Sequence, residues 1–278
     1  MPDSNNIRIG TSGFSYDDWI GVFYPPNLPK GKWLEYYSAR FDCLEINSTY
    51  YEWLSAKVME NFVKRVPVSF RFSVKLHHSL THERTELQKG VLATIEQNKP
   101  LTQSGMLATQ LAQFPPSFQN TKTSWEWLKR LSETIEPLTV EFRHASWQTP
   151  ETVENLREMR VSLCCVDQPK LPGLLKWQPV VTISPAYIRF HGRNADKWHI
   201  HEHAWQRYDY LYSEEELSER APDVLEMSRQ ANETLILFNN HYAAQAIANA
   251  KQFGKILGLI KEEHINNPRE KEEQKSLF

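Results

Sequence analysis

Residues 140–147, "VEFRHASW", load Glu141, Arg143, His144 and Trp147 onto the end of a short apolar run. A carboxylate, a guanidinium, an imidazole and an indole this close together could hold an anion, move a proton and stack on a ring. Similar loading recurs elsewhere. "CLEIN" (43–47) carries Glu45 and Asn47, and "SFRFSVK" (69–75) carries Arg71 and Lys75. "SLCCVD" (162–167) ends in Asp167, "AYIRFH" (186–191) carries Arg189 and His191, and "ETLILFN" (233–239) ends in Asn239.

Successive side chains of a strand point to opposite faces. If Leu44, Ile46, Phe70, Phe72, Val74, Val140, Phe142, Ile188 and Phe190 pack against helices, then Glu45, Asn47, Lys75, Glu141, Arg143, Arg189 and His191 face the other way. In a closed barrel that other side is the lumen. The inward set of Arg8, Arg71, Lys75, Arg143 and Arg189 outnumbers Glu45, Glu141 and Asp167, so the expected ligand is anionic. Guanidinium forks match carboxylate and phosphate oxygens. Arg143, Arg189 and Lys75 are the expected anion holders, with Glu45, Asn47 and Asn239 beside them. Glu141 or His144 would serve as base and His191 or Asp167 as acid. A competing explanation is structural: Glu45 and Glu141 could simply neutralise arginines that fill the barrel.

These residues need elements to position them. Eight β-branched and aromatic runs, 7–11, 43–47, 69–75, 105–113, 138–143, 162–167, 186–191 and 233–239, alternate with amphipathic segments at 31–40, 55–66, 85–98, 123–135, 149–159, 213–230 and 242–252. That alternation predicts α/β architecture, a single (β/α)8 TIM barrel over residues 1–260, with its site at the C-terminal ends of the strands. Residues 261–278 read as a charged C-terminal extension. Two aromatic loops would rim the mouth. Residues 11–31 carry Tyr16 and Trp19, and 47–53 carry two tyrosines and a tryptophan. Tyr16, Trp19 and Trp147 are candidates to stack on a sugar-like ring, although 11–31 could equally be a hydrophobic plug.

Composition removes several classes. A net charge of −2 gives no overall basic footprint for nucleic acid. Three cysteines, two of them adjacent, make no disulfide framework and suit a reducing, cytoplasmic setting. No run approaches the ~18 apolar residues of a membrane span. No Gly-x-Gly-x-x-Gly or Walker loop calls for a nucleotide, so no cofactor is expected. His199, His201 and His203 alternate in one loop without the partners of a metal motif, so no metal site is expected either. The oligomeric state is not written in the chain.

The motifs "GTSGFSYDDW" (10–19), "FYPPNLP" (23–29), "LEYYSARFDCLEINSTYY" (34–51), "FRFSVKLHHSLTH" (70–82), "QFPPSF" (113–118), "VEFRHASW", "VDQP" (166–169), "IRFHGR" (188–193) and "LFNNHYAAQAIANA" (237–250) run in order along nearly the whole chain. Together they resemble the YecE-like family, domain of unknown function 72, with Phe14 where that family usually has Trp. The resemblance implies a single TIM-barrel domain and assigns no reaction. The expected function is therefore an enzyme binding a small phosphorylated or carboxylated, sugar-like molecule. A metal-dependent phosphoester hydrolase acting on nucleic acid is one alternative, and a non-catalytic binding barrel is another.

Overall fold

The computed structural model describes residues 6–259; the charged segment expected at 261–278 lies outside the described residues. Eight parallel strands close on themselves in chain order. They are β1 (Ile7–Ser12), β2 (Cys43–Ile46), β3 (Arg71–Lys75), β4 (Leu107–Gln113), β5 (Leu138–Glu141), β6 (Ser162–Asp167), β7 (Ala186–Phe190) and β8 (Thr234–Phe238). β8 returns to β1 in register, from Ile7 opposite Thr234 to Thr11 opposite Phe238, so no strand edge is left unpaired. The described residues thus form one TIM barrel.

Helices α1 (Trp33–Ser38), α2 (Ala56–Lys64), α3 (Leu87–Gln103), α4 (Lys122–Ser132) and α5 (Pro150–Glu158) follow the first five strands. Local chemistry sets their starts. Thr121 and Thr149 accept hydrogen bonds from the backbone N–H of Ser124 and Thr152, and Pro150 occupies the first turn, where it has no N–H to lose. The segment 213–230 divides into α6 (Glu214–Ser218) and α7 (Ala221–Gln230), because Pro222 fits only a helix beginning. α8 (Gln245–Ile256) closes the ring.

The expected eightfold strand–helix alternation fails once. Residues 168–185 link β6 to β7 without an α-helix. Four prolines in that stretch and Gly173, at φ 81°, interrupt any helical run.

Alternation packs the outer strand faces as expected. Leu44, Ile46, Phe72, Val74, Ile188, Phe190, Ile236 and Phe238 share one buried cluster with residues of α1 and α8. The 11–31 loop is largely core. Trp19 is fully buried with its indole N–H on the His241 carbonyl (2.8 Å), and Tyr24 stacks on Trp33 at 4.4 Å. Trp147 lies against Phe142 at 4.0 Å and 3°, and its Nε1 donates to the Phe118 carbonyl at 2.6 Å. Neither tryptophan is free to stack on a ligand: an indole this deep belongs to the layer between barrel and helices.

Arg8 and Arg71, expected among the inward cations, stay at the N-terminal end. Both pair with Glu233, at 2.6 and 3.3 Å, and so leave the lumen charge to other residues.

Trp147→Ala is expected to cost about 3–5 kcal/mol, the range for truncating a buried aromatic. A urea denaturation midpoint unchanged from the parent would return Trp147 to the ligand.

Candidate active site at the barrel mouth

Arg189 enters the lumen from the middle of β7, where period-two alternation turns it inward with Tyr187 and His191. Its Nη1 lies 2.5 Å from Glu141 Oε2 on β5, and its Nη2 lies 2.7 Å from Glu45 Oε1 on β2. All three side chains are shielded from solvent. The second Glu45 oxygen accepts from the Tyr187 hydroxyl at 2.7 Å, and Ser73 Oγ is the same distance from that hydroxyl. Buried charges survive only when paired and hydrogen-bonded; both carboxylates and both Nη atoms meet this, and only the Arg189 Nε is left without a partner in the set.

A second chain of contacts begins at β8. Asn239 Nδ2 lies 3.1 Å from His191 Nδ1, and His191 Nε2 lies 3.1 Å from Glu141 Oε1. Arg143 adds its Nε at 2.6 Å from the same Glu141 oxygen and its Nη2 at 3.2 Å from His191. Burial, then the Arg143 charge, pushes His191 down to about 3, so the ring is neutral at physiological pH. Burial opposes ionising Glu141, but Arg143, Arg189 and the His191 N–H hold it well below the usual carboxylate range.

Above this floor lies a cavity of about 430 Å³. Its polar wall includes Asn47, Lys75, Gln113, Arg143 and Asn239; Tyr16, Tyr50, Tyr208 and His241 supply rings. Gly13, at φ 88°, allows the backbone to pass under Tyr16: a β-carbon there would stand 2.5 Å from the phenol oxygen. Tyr16 also lies flat on His241, with centroids 4.5 Å apart. Asn47 Oδ1 is buried and has no hydrogen-bond partner.

Lys75 differs from the two arginines. Its Nζ stands 4.4 Å from the centre of the Tyr50 ring, and no carboxylate pairs with it among the described residues. Burial first, then the nearby Arg189, lowers it from 10.5 to about 8.

The structure therefore gathers Glu45, Asn47, Lys75, Glu141, Arg143, Arg189, His191 and Asn239 at one end of the barrel, with Tyr16 beside them. It separates four other candidates from them. Asp167 turns out of the lumen: Arg193 grips both its oxygens at 2.7 Å, Arg220 lies at 2.8 Å and Tyr212 donates at 2.9 Å. Its strand neighbour Cys164 approaches Glu141 at 3.8 Å, so the residue three places on must face the helices. His144 caps the short helix Ala145–Trp147, accepting the Ser146 N–H at 3.2 Å. Trp19 and Trp147 are core. Tyr50 comes from the 47–53 aromatic loop expected at the rim, whereas Gln113, Tyr208 and His241 were not expected there. Gln113 and His241 end or follow strands, the one sequence signal that could have found them.

Acid–base roles narrow accordingly. Glu141 is locked between two guanidinium groups, and His191 is sealed behind it. Among the described residues no three His, Cys, Asp or Glu side chains converge as metal ligands, and the two lumen carboxylates already face arginine.

The model of the family described as "Protein of unknown function DUF72" matches residues 8–275. The chain is 31% identical to the UPF0759 protein YunF of Bacillus subtilis (strain 168), over 91% of this chain and 95% of that protein. Among solved structures, a DUF72 family protein of Thermotoga maritima MSB8 superposes with TM-score 0.84 at 41% identity, covering 91% of this chain and 99% of that one. One from Enterococcus faecalis V583 gives 0.81 at 29%, covering 92% and 97%.

Two outcomes follow from the buried network. Arg189→Met is expected to destabilise by about 3–5 kcal/mol by urea unfolding, because Glu45 loses its ionic partner. Adding Glu45→Gln should recover much of that, since Glu141 keeps Arg143; a neutral single variant would show that the lumen is wet. His191 titrates near 6.5 when unfolded and about 3 when folded, so the unfolded chain takes up the extra proton as pH falls between those values. Stability should decline across that window. His191→Gln should flatten part of the decline, read from urea midpoints at each pH.

Proposed function

Because the chain belongs to the DUF72 family, whose description names no reaction, we propose a function from its own cavity: it binds a small sugar-like compound carrying a carboxylate or phosphate and acts on it at the barrel mouth. One observation carries this reading. Lys75 is a lumen cation without a carboxylate partner among the described residues, and Arg143 lines the same cavity. Glu45 and Glu141 are used by Arg189, so the field left for a ligand is positive.

The rest of the lining suits a polyhydroxy body. A cavity near 430 Å³ falls within the range of small-molecule sites, roughly 300–1,000 Å³. Tyr16 and Tyr50 line the cavity and give the apolar side of a sugar an aromatic wall. The unpartnered Asn47 Oδ1 accepts from a hydroxyl, which would satisfy a buried polar atom otherwise left bare.

A second reading, a barrel that binds without reacting, draws support from the locked state of Glu141 and His191. Lys75 weighs against it, since a lysine near 8 is partly neutral at working pH and can take a proton. The phosphoester hydrolase reading loses ground because its carboxylates face guanidinium groups rather than an open ligand position.

Calorimetric titration with inorganic phosphate, ribose 5-phosphate and gluconate, against ribose as neutral control, is the test. At least one anion is expected to bind saturably and raise the melting temperature. Lys75→Met and Arg143→Met should each weaken it by roughly 10–100-fold, the worth of one charge-assisted hydrogen bond. Equal binding of ribose and the anions, or indifference to both substitutions, would overturn the proposal.

A further inference from the structure

We propose that Lys75 is a nucleophile, condensing with an aldehyde or ketone group of the bound anion to form an iminium linkage between its Nζ and the ligand carbon. The inference rests on the anion-binding reading above and adds the carbonyl, which that reading does not require.

Three geometric facts support it. Lys75 stands at the C-terminal end of β3, with its main-chain carbonyl held by the Thr49 hydroxyl at 2.6 Å, so the side chain starts from a fixed point. The amine reaches the cavity and rests on the Tyr50 ring rather than on a carboxylate. An ion-paired lysine is held protonated and cannot attack; Lys75 has no such carboxylate among the described residues, and burial beside Arg189 favours its neutral form, while the Tyr50 face, which favours the cation, fixes where the amine stands. Finally, Arg143 shares the cavity and can hold the anionic end while the carbonyl faces Nζ. With Glu141 and His191 locked, Lys75 keeps a usable lone pair at the cavity floor. Its lowered value, about 8, leaves roughly one amine in ten neutral at pH 7.

The step balances without any redox partner. The neutral amine adds to the carbonyl carbon, forming the N–C bond while the C=O π pair moves to oxygen, which takes a proton. The amine sheds one proton to solvent, giving a carbinolamine. The hydroxyl then takes a proton from solvent and leaves as water as the nitrogen lone pair closes the C=N bond. One amine, one carbonyl and one proton become one iminium and one water. The bound carbon skeleton is thereby opened to loss of a proton or cleavage of the neighbouring bond, chemistry suited to hydroxy-carbonyl acids and sugar phosphates.

The test is reductive trapping on the full chain. The protein is incubated with pyruvate, glyoxylate or dihydroxyacetone phosphate and treated with sodium cyanoborohydride; mass spectrometry then locates the secondary amine. Lactate and glycolate serve as matched anions without the carbonyl, followed by calorimetry. One saturable adduct is expected at Lys75, forming at least tenfold faster than at any surface lysine. Its rate should rise with pH to a plateau with a midpoint near 8, and lactate should slow it. Lys75→Arg keeps the charge, so it should still bind lactate while forming no adduct. If both acids bind but labelling is absent or spread over surface lysines, the nucleophile is wrong and the anion site stands. If neither the carbonyl acids nor their reduced counterparts bind, both readings fall.

Discussion

The floor of this barrel is organised around one guanidinium. Arg189 reaches across the lumen from β7 and meets Glu45 of β2 and Glu141 of β5, each at hydrogen-bond distance. A charge placed there has no water to fall back on, so its partners must arrive with correct geometry or the fold loses several kcal/mol. Those partners then constrain their own neighbours. Tyr187 and Ser73 complete Glu45; Arg143, His191 and Asn239 complete Glu141. Strands β2, β3, β5, β7 and β8 are thereby tied through side chains as well as through the sheet.

The same network decides which groups can react. A carboxylate between two arginines is a poor base, because losing its charge would strand both of them. A histidine whose two nitrogens are engaged by an amide and a carboxylate is a fixed strut. On the proposed reading, chemistry falls to Lys75, a lumen cation that has no carboxylate partner among the described residues. Lys75 owes its lowered proton affinity to burial and to Arg189, so it is electrostatically coupled to the network below it.

The β6–β7 connection shows the same economy in a different place. Where a helix would normally cover the sheet, residues 168–185 run as a proline-punctuated loop, and the outward Asp167 collects Arg193 and Arg220. Arg193 continues to Glu216 on α6, and Arg220 lies over Trp177. This ion cluster joins the loop to the helices that follow β7, doing by charge what a packed helix does by apolar area.

What the sequence determined by itself follows from periodicity. Eight short apolar runs separated by amphipathic segments left few topologies open, and two-residue alternation alone put Glu45, Lys75, Glu141, Arg143, Arg189 and His191 on one face. It faltered where periodicity carries no sign. "SLCCVD" is apolar on both faces, so nothing local says which way Asp167 points. Past a strand end the pleat no longer governs, so His144 could become a helix cap. An aromatic ring outside the strands looks alike whether it is core, as Trp19 and Trp147 are, or rim, as Tyr16 is. Tertiary structure alone decided the pairings: that Arg8 and Arg71 answer to Glu233 at the far end, that two carboxylates converge on Arg189, and that among the described residues Lys75 is left without one. Partnership between charges depends on distances across the lumen, between residues as far apart in sequence as Glu45 and Arg189, and one-dimensional spacing holds no record of those distances.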